Sequence, residues 1–138
     1  MGKVCICIDY GLARCGLAVG DENDSYAMPL ETVSTNEIIQ YLKVFSEQQE
    51  IRLIILGTPN NIIGNKTKMS EEIAAFQKLL ELNHFSVILF DEGTSTRRAM
   101  AQMKVLGIDS KKSKSKKDEA AAAIILQDYF DFIRRTRS

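Results

Sequence analysis

Five consecutive apolar residues, Val4-Cys5-Ile6-Cys7-Ile8, run directly into Asp9, and Gly11 follows two positions later. Successive side chains of a strand point to opposite faces, so an unbroken apolar run predicts a strand covered on both sides. Residues 4–10 therefore read as the central strand of a sheet, broken at Gly11. A second strand over 14–20 follows too soon for a crossover helix, which makes the pair antiparallel. A third spans 26–33, and Pro29, which has no N–H to donate, assigns it to an edge.

The period then changes. Ser34 and Glu37 have the spacing of a capping box and open a helix to about residue 49, with Ile38, Leu42 and Phe45 on one face. Residues 53–56 form a short apolar strand that ends at Gly57. Pro59, Gly64 and three asparagines make 58–65 a loop. A helix over 66–82 follows, with Met69, Ile73, Phe76 and Leu80 at helical spacing. A strand over 86–90 ends on Asp91-Glu92. A helix over 96–106 is stopped by Gly107, and the Lys/Ser run 110–117 reads as a loop. The last helix opens near Asp118 and reaches about 134; its segment 120–126 is apolar nearly all round, which predicts deep burial. This order predicts an α/β sandwich with a mixed five-stranded sheet, a three-strand antiparallel meander plus two parallel strands, flanked by helices. With no internal repeat and no dividing linker, residues 1–138 read as one domain.

The 18 basic and 18 acidic residues cancel, so bulk charge does not indicate a nucleic-acid partner. The basic residues are locally concentrated instead: Lys111, Lys112, Lys114, Lys116 and Lys117. The cysteines number three, and Cys5 and Cys7 point in parallel on a regular strand, so reduced, buried thiols are expected. His84, the sole histidine, has no partner motif and reads as a helix-end or loop residue, which argues against a histidine-based triad. No stretch reaches the roughly 18 apolar residues of a membrane span. The start has neither a signal-peptide cleavage region nor the Ser or Thr of a myristoylation motif. A cytoplasmic protein with no membrane partner is expected.

An ionised carboxylate at the end of an apolar strand is costly unless it is paired or binds a cation. Asp9 stands in that position, and Asp91 and Glu92 end a second apolar strand. If the two strands are parallel, all three acids lie on one rim, where α/β sheets carry their sites. Asp118 joins them from the start of the last helix. Carboxylates gathered on one rim suit Mg²⁺ or Mn²⁺, two of which can stabilise the attacking and leaving oxygens of a phosphodiester. The plainer readings make Asp118 a helix N-terminal acid and Asp91 a loop-initiating one. The turn from Asp9 has the form DxGxxRxG, with Arg14 placed to contact phosphate or simply solvated on a hairpin turn. Gly57, Gly64 and Lys66 fail the spacing of a phosphate-binding P-loop. The lysine run before Asp118 suits phosphate tracking as well as a solvated face; without aromatic residues it offers no base stacking.

Taken together, these motifs resemble the YqgF family, also called the Holliday junction resolvase-like or pre-16S rRNA nuclease family. The resemblance covers about residues 3–133. It is carried by Ile8-Asp9-Tyr10-Gly11 with Arg14, Gly16 and Ala18-Val19; by Gly57, Pro59 and Gly64; by Asp91-Glu92 with Thr94, Ser95 and Thr96; and by Asp118 with Ala121-Ala122 and Ile125-Leu126-Gln127. It implies a ribonuclease H-like fold and an endonuclease acting on structured RNA or four-way DNA, with pre-ribosomal particles as partners. It implies Asp9, Glu92 and Asp118 as the metal-binding, catalytic carboxylates, with Asp91 beside them. The chain departs from the family at Gly93, where Arg is usual, and at Thr58, where an aliphatic residue is usual. Arg97 and Arg98, a turn after Gly93, can supply the missing phosphate contact. The competing function is a nucleic-acid or ribosome-assembly binding module that keeps the fold without cleavage. A nucleotide-phosphate site like that of the actin and sugar-kinase fold needs two such domains and far more chain. A monomer or a homodimer is compatible with either reading.

Overall fold

A computed structural model describes residues 3–21, 23, 26–58, 68–91 and 114–137, with backbone only at 58, 91, 114–117, 136 and 137. In chain order the elements are β1 (Val4–Asp9), β2 (Arg14–Asp21), β3 (Tyr26–Ser34), a 3-10 turn (Thr35–Glu37), α1 (Ile38–Gln48), β4 (Ile51–Thr58), α2 (Lys68–Leu82), β5 (Val87–Asp91) and α3 (Lys114–Arg137). The strands form one sheet in the order β3-β2-β1-β4-β5. β1 is its centre, antiparallel to β2 and parallel to β4. β3 continues the antiparallel meander as an edge strand, and β5 adds in parallel beyond β4. This is the expected mixed sheet, with Pro29 on the edge.

The two faces are covered by different helices. Ile6, Ile8, Leu17, Ile54 and Leu56 pack under α1 and α2, against Ile38, Leu42, Ile73, Phe76 and Leu80. Cys5, Cys7, Ala18 and Ile55 pack under α3, against Ala122, Ile125, Leu126 and Phe130. Each fully buried aliphatic side chain contributes about 1.5–3 kcal/mol. Cys5 and Cys7 share the α3 face as buried thiols, as their spacing required.

β2 explains why α3 lies so close. Its alternate residues Gly16, Ala18 and Gly20 face α3 and present almost no side chain. A Cβ at Gly20 would press on the Phe130 ring, and one at Gly16 would collide with the backbone of Asp118 and Glu119. The side chain of Gln127 also ties α3 to the edge strand by accepting the Ala27 N–H at 3.0 Å.

Several expectations change. Ser34 forms no side-chain cap, so there is no capping box. Ser34 is still paired to Arg14 in the sheet, and Thr35–Glu37 turns as a 3-10 segment before α1 begins. The hydroxyl of Thr35 instead donates to Gly11 O at 2.7 Å and its N–H to Ala13 O at 3.0 Å, which pins the β1–β2 turn. β4 is longer than expected because pairing with β1 begins it at Ile51 and pairing with β5 carries it to Thr58. Residues 114–117 are helical, not loop, so Asp118 lies in the second turn of α3 rather than at its opening. Propagating a packed helix by one turn costs little, and lysine is a good helix former. The segment 120–126 is buried on a stripe, at Ala122, Ile125 and Leu126, rather than all round. The expected helix over 96–106 and nearly all of the 58–65 loop lie outside the described residues.

Candidate active site

Asp9 closes β1. In one row across the sheet it is in register with Gly16 of β2 on one side and Gly57 of β4 on the other, and Gly57 is in register with Phe90 of β5. Alternation from Cys5 and Cys7 puts Asp9 on the α3 face. Both of its lateral neighbours are therefore glycines, and the carboxylate has a clear berth on each side. Asp91 pairs with Thr58 one step beyond that row. The C-terminal ends of the parallel strands β1, β4 and β5 thus form a single rim, as expected from the apolar runs that end on acids.

Asp118 reaches this rim from the other layer. The helix backbone at Asp118–Glu119 occupies the space that a side chain at Gly16 would fill. Asp9 and Asp118 therefore flank the same glycine, one through the sheet and one through the helix above it. Both carboxylates also act electrostatically on the neighbouring Cys15. Burial pushes the Cys15 thiol up from its ordinary value of 9.0; contacts with Thr35 and Gly11 oppose this, and the negative charges of Asp9 and Asp118 add to it. The thiol lies 3.9 Å from Gly11 O and 3.4 Å from the Thr35 hydroxyl.

Arg14 differs from its expected place. Its Nε donates to Asp118 Oδ2 at 2.9 Å, so one acid of the cluster has a cationic partner 104 positions away. The pair is about one-third exposed on each side, which limits its net contribution to about 1 kcal/mol. Arg14 Nη2 is enclosed and has no hydrogen-bond acceptor among the described residues. An orphaned donor of this kind costs about 1–3 kcal/mol.

Glu92, Gly93, Arg97, Arg98, Lys111 and Lys112 lie outside the described residues. Lys114, Lys116 and Lys117 are placed by backbone on the first turn of α3. Among the described residues no three His, Cys, Asp or Glu side chains form a metal-holding group. The two described acids of the expected triad, Asp9 and Asp118, offer hard carboxylate oxygens of the kind Mg²⁺ and Mn²⁺ take, so the donor chemistry fits such an ion. Thr35 and the Arg14–Asp118 pair were not foreseen from sequence. The only signal for the pair was an arginine and an acid in separate motifs of the same resemblance.

A mixed sheet in this order, with helices on both faces, has the ribonuclease H-like fold. T. thermophilus RuvC, solved in complex with a Holliday junction substrate, shares the fold at a TM-score of 0.56 and 15% identity, covering 97% of this chain and 96% of that one. The chain belongs to the nuclease family described as RuvX, Holliday junction resolvase, whose family model matches residues 3–132. Its relatives include proteins named as candidate pre-16S rRNA nucleases. The one from Mycoplasmopsis synoviae (strain 53) is 40% identical over 132 residues, 92% of this chain and 96% of the relative. The one from Geobacillus sp. (strain WCH70) is 35% identical over 131 residues, 90% and 94%. Among the described residues no helix is long and apolar enough to cross a membrane.

Proposed function

We propose that this chain is a single-domain, cytoplasmic, divalent-metal-dependent endonuclease that cleaves structured RNA, with the 5′ end of pre-16S rRNA as its target. The observation that carries the reading is Asp9, set at the end of the central strand between two glycines, with Asp118 delivered against one of them. Asp9, Glu92 and Asp118 would hold Mg²⁺ or Mn²⁺, with Asp91 alongside. Neighbouring strands are about 4.8 Å apart, so β1 and the end of β5 are separated by about 10 Å, a span that side chains reaching inward can share. Bound there, such ions supply charge stabilisation to the attacking and leaving oxygens of the phosphodiester. The protein's own part is to fix the carboxylates on two layers and to present cations to the phosphates. Lys114, Lys116 and Lys117 on the first turn of α3 add to the positive end of that helix, and Arg14, Arg97, Arg98, Lys111 and Lys112 extend the same role.

A second reading, cleavage of four-way DNA, is favoured by the family's description as a Holliday junction resolvase. RNA is preferred because the relatives at 31–40% identity carry the rRNA name. A homodimer would suit a symmetric junction, whereas a monomer suffices for an RNA end. The test incubates the purified chain with precursor rRNA and with a four-way junction, each with Mn²⁺ and with chelator. Metal-dependent cleavage of the rRNA precursor is expected, and Asp9→Asn should lower it by about a hundred- to a thousandfold, the scale of losing one preorganised electrostatic group. Undiminished cleavage by a folded Asp9→Asn rejects the site. Salt-sensitive RNA binding without cleavage under any divalent ion would instead identify a binding module.

A further inference from the structure

Arg14 is bonded to an acid of the proposed site, and its pose there is compromised. Nε holds Asp118 Oδ2 at 2.9 Å while Nη2 is enclosed without an acceptor among the described residues. Such a contact neutralises a carboxylate that faces the charge of Asp9 across Gly16, but it is weakly held because one donor goes unsatisfied. The side chain is about one-third exposed, so it can swing away without unpacking the core. Its backbone stays fixed, paired to Ser34 at the start of β2.

We propose that Arg14 and the divalent cation compete for Asp118: the ion displaces the guanidinium, which then turns to a substrate phosphate. The inference rests on reading Asp118 as a metal ligand. A doubly charged ion outcompetes one guanidinium at a carboxylate that water reaches, and the released fork of N–H donors matches a phosphate. Linkage then requires reciprocity. Nucleic acid that takes up Arg14 tightens metal binding, and metal tightens nucleic-acid binding by the same factor.

The experiment measures Mn²⁺ affinity calorimetrically for the full chain and for Arg14→Gln, Asp118→Asn and Asp9→Asn, each checked for folding by circular dichroism. Removing the competitor should tighten Mn²⁺ about three- to fivefold in Arg14→Gln, the range set by a partly exposed pair. Asp118→Asn and Asp9→Asn should weaken it at least about tenfold, as loss of a charged oxygen ligand does. Unchanged or weaker Mn²⁺ binding by Arg14→Gln, with the aspartate variants impaired, overturns the competition and leaves the site standing. Normal Mn²⁺ binding by Asp118→Asn overturns the site assignment itself. If Arg14→Gln does not fold, the wild type decides: the Arg14 Nε–H signal in a nitrogen-proton spectrum should move toward the solvent position as Mg²⁺ is added. A signal that stays in place at saturating Mg²⁺ overturns the proposal.

Discussion

At the residue scale the site depends on what Gly16 lacks. Its missing side chain lets β2 lie beside Asp9 and lets the α3 backbone settle over it at Asp118 and Glu119. Glycine is required here for close approach rather than for an unusual dihedral angle. A methyl group at this position meets backbone atoms, which cannot rotate aside as the end of a flexible side chain can. Gly16→Ala should therefore push the start of α3 outward and carry Asp118 away from Asp9. We expect a stability loss of about 1–3 kcal/mol in urea titrations, the usual cost of overpacking. Nuclease activity of the folded fraction should fall by at least about a hundredfold, because an error of about 1 Å in positioning costs that much. Wild-type activity in a folded Gly16→Ala would show that Asp118 does not need this berth.

At the element scale, the α2 terminus offers a cleaner stability test away from the site. His84 has φ 71°, and the N–H groups of His84 and Phe85 return to Glu81 O and Leu80 O at 3.0 and 3.2 Å. That is the Schellman closure, with Phe85 folding back on the same core as Leu80. A side chain in the left-handed region costs about 1–2 kcal/mol, and glycine's extra unfolded-state freedom returns about half of that. His84→Gly should thus stabilise the protein by about 0.5 kcal/mol in urea unfolding, with cleavage unchanged. The first turn of α3 gives the complementary binding test. Replacing Lys114, Lys116 and Lys117 with alanine should reduce the salt slope of RNA affinity by about 2, since each neutralised phosphate contributes about 0.7–0.9. An unaltered slope in a filter-binding series would remove these lysines from the interface. Periodicity made most of the elements legible: the apolar run of β1, the edge proline of β3 and the helical stripes of α1 and α2 all correspond to what the chain forms. The rim placement of Asp9 and Asp91 followed from the same runs. What periodicity could not convey were contacts whose partners lie far apart in the chain. The Arg14–Asp118 bond spans 104 positions, and the Thr35 hydroxyl leaves its own helix start to hold Gly11. The helical first turn of α3 was hidden because lysine and serine compose solvated loops as readily as helix ends. Its conformation is imposed by the buried stripe that follows.

For the whole molecule, two acids that titrate on the alkaline side, the buried Cys15 and the half-buried Tyr41, couple the fold to pH. Tyr41 is pushed up from 10.0 to about 12, chiefly by burial, then by its hydrogen bond to Glu31 and the charges of Glu31 and Glu119. Cys15 is raised from 9.0, again chiefly by burial. In both cases the folded protein holds its proton more tightly than the unfolded chain. The unfolded state therefore loses protons first as pH rises, and stability falls with pH through that window. The contribution is complete below about pH 9 and drains as pH climbs through the folded value of Tyr41, about 12. The two groups occupy different places on the curve. Tyr41→Phe has no hydroxyl to titrate and should flatten the decline above pH 10, where the unfolded tyrosine ionises. Cys15→Ala should flatten the part that begins near pH 9. Urea midpoints measured at half-unit intervals from pH 7 to about 12 separate the two, since the midpoint tracks stability while the slope of the transition holds constant. The Cys15 arm also reports on the site, because the charges of Asp9 and Asp118 help hold that thiol neutral. Saturating Mg²⁺ would neutralise them and lower the folded-state value of the thiol, so the Cys15 decline should become smaller and end at lower pH. A Cys15 decline whose size and end point are indifferent to Mg²⁺ would place the ion away from the two acids that flank Gly16.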